Sequence, residues 1–205
     1  MIKKGLAPLF LIAMMLISVL SFAVVEKEAV VLTPPSKGAG TELVIYEYSD
    51  FQCSYCAKVD PTINKRLADY GDRIKLVYKQ FPLPAMVHKD AMKASQASVA
   101  ALMQGKFWEM HDMLFRDQRK LKMENLLEYA KELNLDIEKF KKDMESEETQ
   151  KMIADDIAEG TKIEVLATPT FIIGETSILG AKPYETFKQI IDDEISKAKK
   201  IESTP

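Results

Sequence analysis

Cys53 and Cys56 are the only cysteines in the chain, and they stand two residues apart directly after the apolar run 43–48. At the first turn of a helix this spacing brings two sulfurs within bonding distance and leaves the first at the helix N-terminus. Unpaired N–H groups and the positive end of the helix dipole favour a thiolate there. A reversible disulfide is the chemistry such an arrangement supports. Cys53 is then the nucleophile. Cys56, one turn further in on the apolar face of Val59, Ile63, Leu67 and Tyr70, is the more buried, resolving thiol.

Two structural readings compete. Zinc needs two more ligands, and neither His88 nor His111 lies at finger-like spacing from the cysteines or from each other, so no metal is expected. A fixed disulfide this short closes almost no loop and constrains the unfolded chain little. The redox reading survives both.

Where a dithiol works depends on its compartment, and the N-terminus bears on that. Residues 1–25 form a separate unit, with Lys3 and Lys4 followed by a charge-free apolar stretch over 5–25. It reads as an export segment. Its length suits an uncleaved anchor with the rest of the chain facing outward; Ser21-Phe22-Ala23 offers the alternative of cleavage near Ala23, leaving a secreted or periplasmic protein. Without Lys3 and Lys4, the 28 basic residues fall to 26 against 31 acidic, a net charge of −5. That mild acidity excludes nucleic acid as a partner. Oxidising compartments permit disulfides and require redox partners to manage them. Residues 26–41, rich in turn formers, read as a linker.

The rest of the 205 residues suits one domain with an insertion. Residues 43–48 are apolar on both faces, as in a central strand. Glu47 is the anomaly: buried, its carboxyl would be pushed to higher pKa and could relay a proton to the thiols. Residues 53–70 read as a helix with Pro61 inside, where a kink is expected. Residues 74–81 read as an alternating second strand ended by Pro82 and Pro84. From about residue 88 to 163 only helical periodicities appear, including one face of Phe107, Met110, His111, Leu114 and Phe115. Thr168-Pro169 then precedes a hairpin that turns at 174–176, and Pro183 opens a closing amphipathic helix.

This order of elements resembles the thioredoxin superfamily in its DsbA-like form, over about residues 42–198. Glu47 matches the family's acidic residue six positions before the first cysteine, and Pro61 its proline five after the second. Pro169 matches the cis-proline that faces the disulfide, and Gly180 the glycine after the hairpin. The resemblance implies an α/β, thioredoxin-like fold with an all-helical subdomain inserted at about 88–163, preceded by the apolar export or anchor segment and followed by a tail, 199–205. It also implies that the backbone of Thr168, with Pro169 and Tyr55 nearby, meets the bound substrate segment.

Between its cysteines this chain has Ser54-Tyr55 where DsbA has Pro-His. Lacking that histidine, Cys53 is expected below the free-thiol pKa of about 8.5 but above the value of about 3.5 in DsbA. Tyr55 and Thr168 resemble the superfamily's isomerases, which carry a dimerisation domain this sequence has too little length for. The expected function is therefore an extracytoplasmic thiol–disulfide oxidoreductase, an oxidase before an isomerase, with a reductase as the alternative direction. Its Cys53–Cys56 disulfide is expected to be the only redox group, with no separate cofactor. Reduced or unfolded exported proteins, a redox partner and, if residues 5–25 stay attached, the membrane are the expected partners. A chaperone-like binding module and a thiol metallochaperone for Cu(I) are the competing functions.

Overall fold

The computed structural model describes residues 31–202, without the side chains of Arg66, Leu67, Ile201 and Glu202. The export or anchor segment 1–25 therefore lies outside the described residues. Among them no helix is long and apolar enough to cross a membrane.

Strand β2 (Leu43–Ser49) runs parallel to β3 (Ile74–Gln80), with Leu43 opposite Ile74 and Ser49 opposite Gln80. Parallel neighbours need a long crossover, and helix α1 (Ser54–Tyr70) supplies it. Helix α1 continues through Pro61. The hairpin of β4 (Thr170–Ile173) and β5 (Thr176–Leu179) adds antiparallel to the other edge of β2. The five-stranded order β1-β3-β2-β4-β5, in which β1 is Ser36–Lys37, leaves β2 at the centre, as its apolar character demands.

One difference from the sequence reading concerns the stretch 26–41, expected as linker. Ser36–Lys37 is a short edge strand, β1, antiparallel to β3. Pro35 O accepts from Tyr78 N at 2.9 Å, and Ser36 O accepts from Trp108 Nε1 at 3.3 Å. Proline and glycine flanks hide so short a strand from any periodicity. Gly38 is needed at its end: φ is +81°, and a Cβ would stand 2.2 Å from Ile74 O.

The insertion is helical as expected: α2 (Ala91–Leu102), α3 (Phe107–Arg116), α4 (Met123–Glu132), α5 (Ile137–Met144) and α6 (Glu147–Lys162). Ser146 caps α6 and Asp136 caps α5 through their side-chain oxygens. The apolar stripes of α3–α5 meet the alanine face of α2 in one core, which also takes in Phe51 and Tyr78 beside the cysteines. A second core lies between the sheet, α1 and the closing helix α7 (Tyr184–Glu202), around Ile45, Ile63, Phe171 and Phe187. The sheet is thus covered on both faces. For that reason β3 does not show the half-exposed alternation expected of it: Lys79 is buried, with Nζ 3.0 Å from Asp156 and 2.7 Å from Glu159 of α6.

Candidate active site

Helix α1 begins one residue after Cys53, so Cys53 is the residue whose backbone starts the helix. Its carbonyl accepts from Cys56 N at 3.1 Å and Ala57 N at 3.2 Å, and its own N–H donates to Asp50 O at 3.0 Å. Both cysteines are free thiols. Cys53 keeps 6% of its surface open and Cys56 none, which is the order the helix position requires. From the far side of the sheet, the loop before β4 brings Thr168 O to 3.3 Å from Cys53 Sγ, within reach of the thiol hydrogen. The Thr168–Pro169 bond is cis, and Pro169 O accepts from Gly180 N at 2.7 Å, tying this loop to the end of the hairpin. Tyr55, by contrast, is 60% exposed on the outer face of α1. The structure therefore brings Cys53, Cys56, Thr168 and Pro169 together and leaves Tyr55 at the rim.

Electrostatics separates the two sulfurs. A hydrogen bond from the Cys56 thiol is the largest influence on Cys53, whose pKa falls to about 5; burial opposes this, and the Thr168 hydroxyl and the N–H groups of Cys56 and Tyr55 assist. Cys56 is driven far upward, first by burial and then by the Cys53 charge. One thiolate and one thiol thus share a proton, with the negative charge on the more open sulfur. No acidic residue occupies the first turn of α1 to oppose that charge.

Glu47 is 3% exposed in β2, between Tyr78 on one side and Phe171 on the other. Burial pushes its pKa up to about 8, and Asp60 adds to the rise against the opposing Ser49 hydroxyl and Lys37. The Ser49 hydroxyl makes no hydrogen bond of its own, but its dipole favours the ionised forms of Glu47, Cys56 and Tyr78 alike. Burial thus favours the protonated form of the Glu47 carboxyl at neutral pH.

A stability effect follows. A carboxyl whose pKa rises on folding contributes its stability fully below the unfolded value, 4.5, and loses it as pH rises through the folded value, about 8. Glu47→Gln does not titrate. The variant gains about 3 to 5 kcal/mol over the parent above about pH 8 and shows no such gain near pH 4. Urea unfolding at the two pH values checks this; an equal pH dependence in parent and variant contradicts it.

The residues that hold the redox turn carried no motif. Asp50, fully buried, accepts from Gln52 N at 2.6 Å through one oxygen; through the other it accepts from Leu83 N and from His88 Nδ1, both at 2.8 Å. Gln118, in the loop after α3, donates through Nε2 to Phe51 O and Cys53 O, both at 2.8 Å. An acidic residue three before Cys53 is an Asx-turn signal that could have flagged Asp50. His88 had no assigned partner, and nothing local marks Gln118. His111 is a core histidine, ringed by Phe51, Tyr78, Phe107, Trp108 and Phe115. Among the described residues there is no cluster of three or more His, Cys, Asp or Glu suited to a metal ion.

Comparison with known proteins agrees with this architecture. A thioredoxin-like oxidoreductase from Silicibacter pomeroyi superposes with a TM-score of 0.71 at 26% identity, covering 78% of this chain and 91% of that one. The thiol–disulfide exchange protein α-DsbA2 from Wolbachia pipientis gives 0.70 at 20% identity over 79% and 87%. The catalytic domain of Proteus mirabilis ScsC gives 0.69 at 23% over 80% and 89%. In sequence, part of the Na(+)/H(+) antiporter NhaA 3 of Salinispora tropica is 37% identical over 131 residues, 64% of this chain. The chain spans only about a fifth of the length of such antiporters. A family model described as Thioredoxin matches residues 39–193, a stretch that contains β2, the dithiol helix, the helical insertion and the Thr168–Pro169 loop. On that match the chain belongs to the thioredoxin superfamily.

Proposed function

We propose that this protein is an extracytoplasmic thiol–disulfide oxidoreductase that forms or exchanges disulfides in exported proteins. The observation that carries the reading is a thiolate-prone Cys53 at the start of α1, backed by a buried Cys56 and faced by the Thr168 carbonyl at 3.3 Å. In the oxidised protein a substrate thiolate attacks Cys53 Sγ. The Cys53–Cys56 bond breaks, and Cys56 leaves as a thiolate that takes up a proton, which the neutral carboxyl of Glu47 can supply. A second substrate thiolate then attacks the substrate sulfur of the mixed disulfide and expels the Cys53 thiolate. Two electrons pass from substrate to protein, and the substrate gains a disulfide. The electrons reside on the cysteine pair, and a separate redox partner must remove them.

The low pKa of Cys53 makes it a good leaving group and stabilises the reduced protein, which favours oxidation of the substrate over its reduction. Placement outside the cytoplasm rests on the apolar segment 5–25, whether retained or cleaved near Ala23, and fits the periplasmic thioredoxin-like protein of Salmonella enterica, which shares the fold. The test is oxidative refolding of reduced RNase A by the oxidised protein. Recovery of RNase activity with one disulfide transferred per turnover is the expected result. Binding of reduced RNase without transfer would make the protein a chaperone-like module instead.

A further inference from the structure

The carbonyl oxygen of Cys53 meets donors from two sources: Cys56 N at 3.1 Å and Ala57 N at 3.2 Å in the first turn of α1, and Gln118 Nε2 at 2.8 Å from outside it. A carbonyl has two lone pairs, and the two helix N–H groups already satisfy them. The bond from Gln118, the shortest of the set, is therefore not required to bury that oxygen. The same nitrogen also donates to Phe51 O at 2.8 Å. Both partners are acceptors, so the amide must present its NH2 group to them, and each of its two hydrogens has a place.

Gln118 is placed by elements other than the redox turn. The ring of Phe115, at the end of α3, packs against Phe51 with centroids 5.0 Å apart. Beyond Gln118, Leu121 is buried in the core of the helical insertion. Between them the loop is closed by Lys120 N on Asp117 O at 2.9 Å and by the Arg119 guanidinium forked on the Asp117 carboxylate at 2.8 and 3.1 Å. The amide is thus held by the insertion independently of the charge on Cys53, and a preset donor stabilises charge without having to reorganise. It offsets the negative ends of two carbonyl dipoles, one of them the carbonyl of Cys53 itself.

We propose that Gln118 is a positioning residue of the redox site, which holds the carbonyls of Phe51 and Cys53 and offsets their dipoles, so that the helical insertion sets how strongly the dithiol oxidises a substrate. Gln118 acts through the backbone of the turn and does not touch the sulfur. The inference rests on the disulfide-exchange reading above and names what tunes its driving force. Both readouts below concern the thiol pair alone, so its failure is distinguishable from a failure of that reading, which shows as loss of RNase oxidation by the parent.

The test measures the thiolate midpoint by ultraviolet absorbance and the equilibrium with glutathione buffers at neutral pH. It compares the full chain with Gln118→Met, which keeps the length of the side chain without a donor, and Gln118→Glu, which puts an acceptor where the donor was. The other ionisable groups around the turn, Cys56 on α1, Asp50 with His88, and the Asp117–Arg119 pair, are unchanged in both variants. Gln118→Met is expected to raise the midpoint by about one pH unit and to shift the glutathione equilibrium about tenfold toward the disulfide, about 30 mV more reducing. Gln118→Glu shifts further in the same direction, since its carboxylate repels the thiolate and both carbonyl oxygens. A bond that serves folding alone is lost equally from the dithiol and disulfide forms and moves neither readout, whatever it does to unfolding in urea. A shift of less than about threefold in either variant, or a shift toward stronger oxidation, overturns the proposal. Should one variant fail to fold, the other decides by the same threshold.

Discussion

Cys53→Ser loses disulfide exchange altogether, while Cys56→Ser accumulates as a mixed disulfide with substrate through Cys53. The asymmetry comes from position. Cys53 carries the thiolate at the opening of the site, and Cys56, with no exposed surface, cannot meet a substrate sulfur. Once Cys56 is serine, no internal thiol remains to release the bound substrate. Non-reducing electrophoresis of each variant with disulfide-bonded RNase, whose disulfide the Cys53 thiolate attacks while the other RNase sulfur leaves as a thiolate, reads both outcomes. If alkylation of the reduced parent at neutral pH labels Cys56 faster than Cys53, the roles are reversed.

The second large effect is on redox poise. One pKa unit is worth about 1.36 kcal/mol, and about 1.4 kcal/mol corresponds to about 30 mV for a two-electron couple. Counted from thioredoxin, at a pKa of about 7 and about −270 mV, a Cys53 pKa of about 5 places this protein near −210 mV. Counted from DsbA, at about 3.5 and about −120 mV, it lies near −165 mV. The expected potential is therefore between about −220 and −160 mV, more oxidising than thioredoxin and less so than DsbA. Equilibration with glutathione buffers measures it. A value at or above about −120 mV, or at or below about −270 mV, contradicts the charge distribution described for the pair.

The same shift gives the reduced protein a pH dependence. A thiol whose pKa falls on folding contributes its stability fully above the ordinary thiol value, 9.0, and loses it as pH falls through about 5. Glu47 works the other way, losing its contribution as pH rises through about 8.

How far the sequence could be read follows from the range of each interaction. The two cysteines, the strand before them and the helix after them are close in the chain, and short spacing and periodicity expose such features. The central place of β2 was legible because its side chains are apolar on both faces. The contact of Thr168 with Cys53 spans 115 residues, and only the family resemblance reached it and the cis bond before Pro169. Nothing reached the clamp around the redox turn, because its bonds join residues far apart: His88 to Asp50 across 38 positions and Gln118 to Cys53 across 65. The alternation of 74–81 did not reveal that Lys79 is buried, because its partner Asp156 lies 77 positions away. Strand β1 was missed for the opposite reason, being two residues long between turn formers.

The central claim is that Cys53 is a stabilised thiolate with Cys56 as its proton-bearing partner. Ultraviolet thiolate absorbance of the reduced chain, titrated against pH and repeated with Cys53→Ser, tests it most directly. The account predicts one thiolate appearing with a midpoint at about pH 5, absent from Cys53→Ser. A chain that forms no thiolate until above about pH 8, or a midpoint near 5 that survives loss of Cys53, would contradict it.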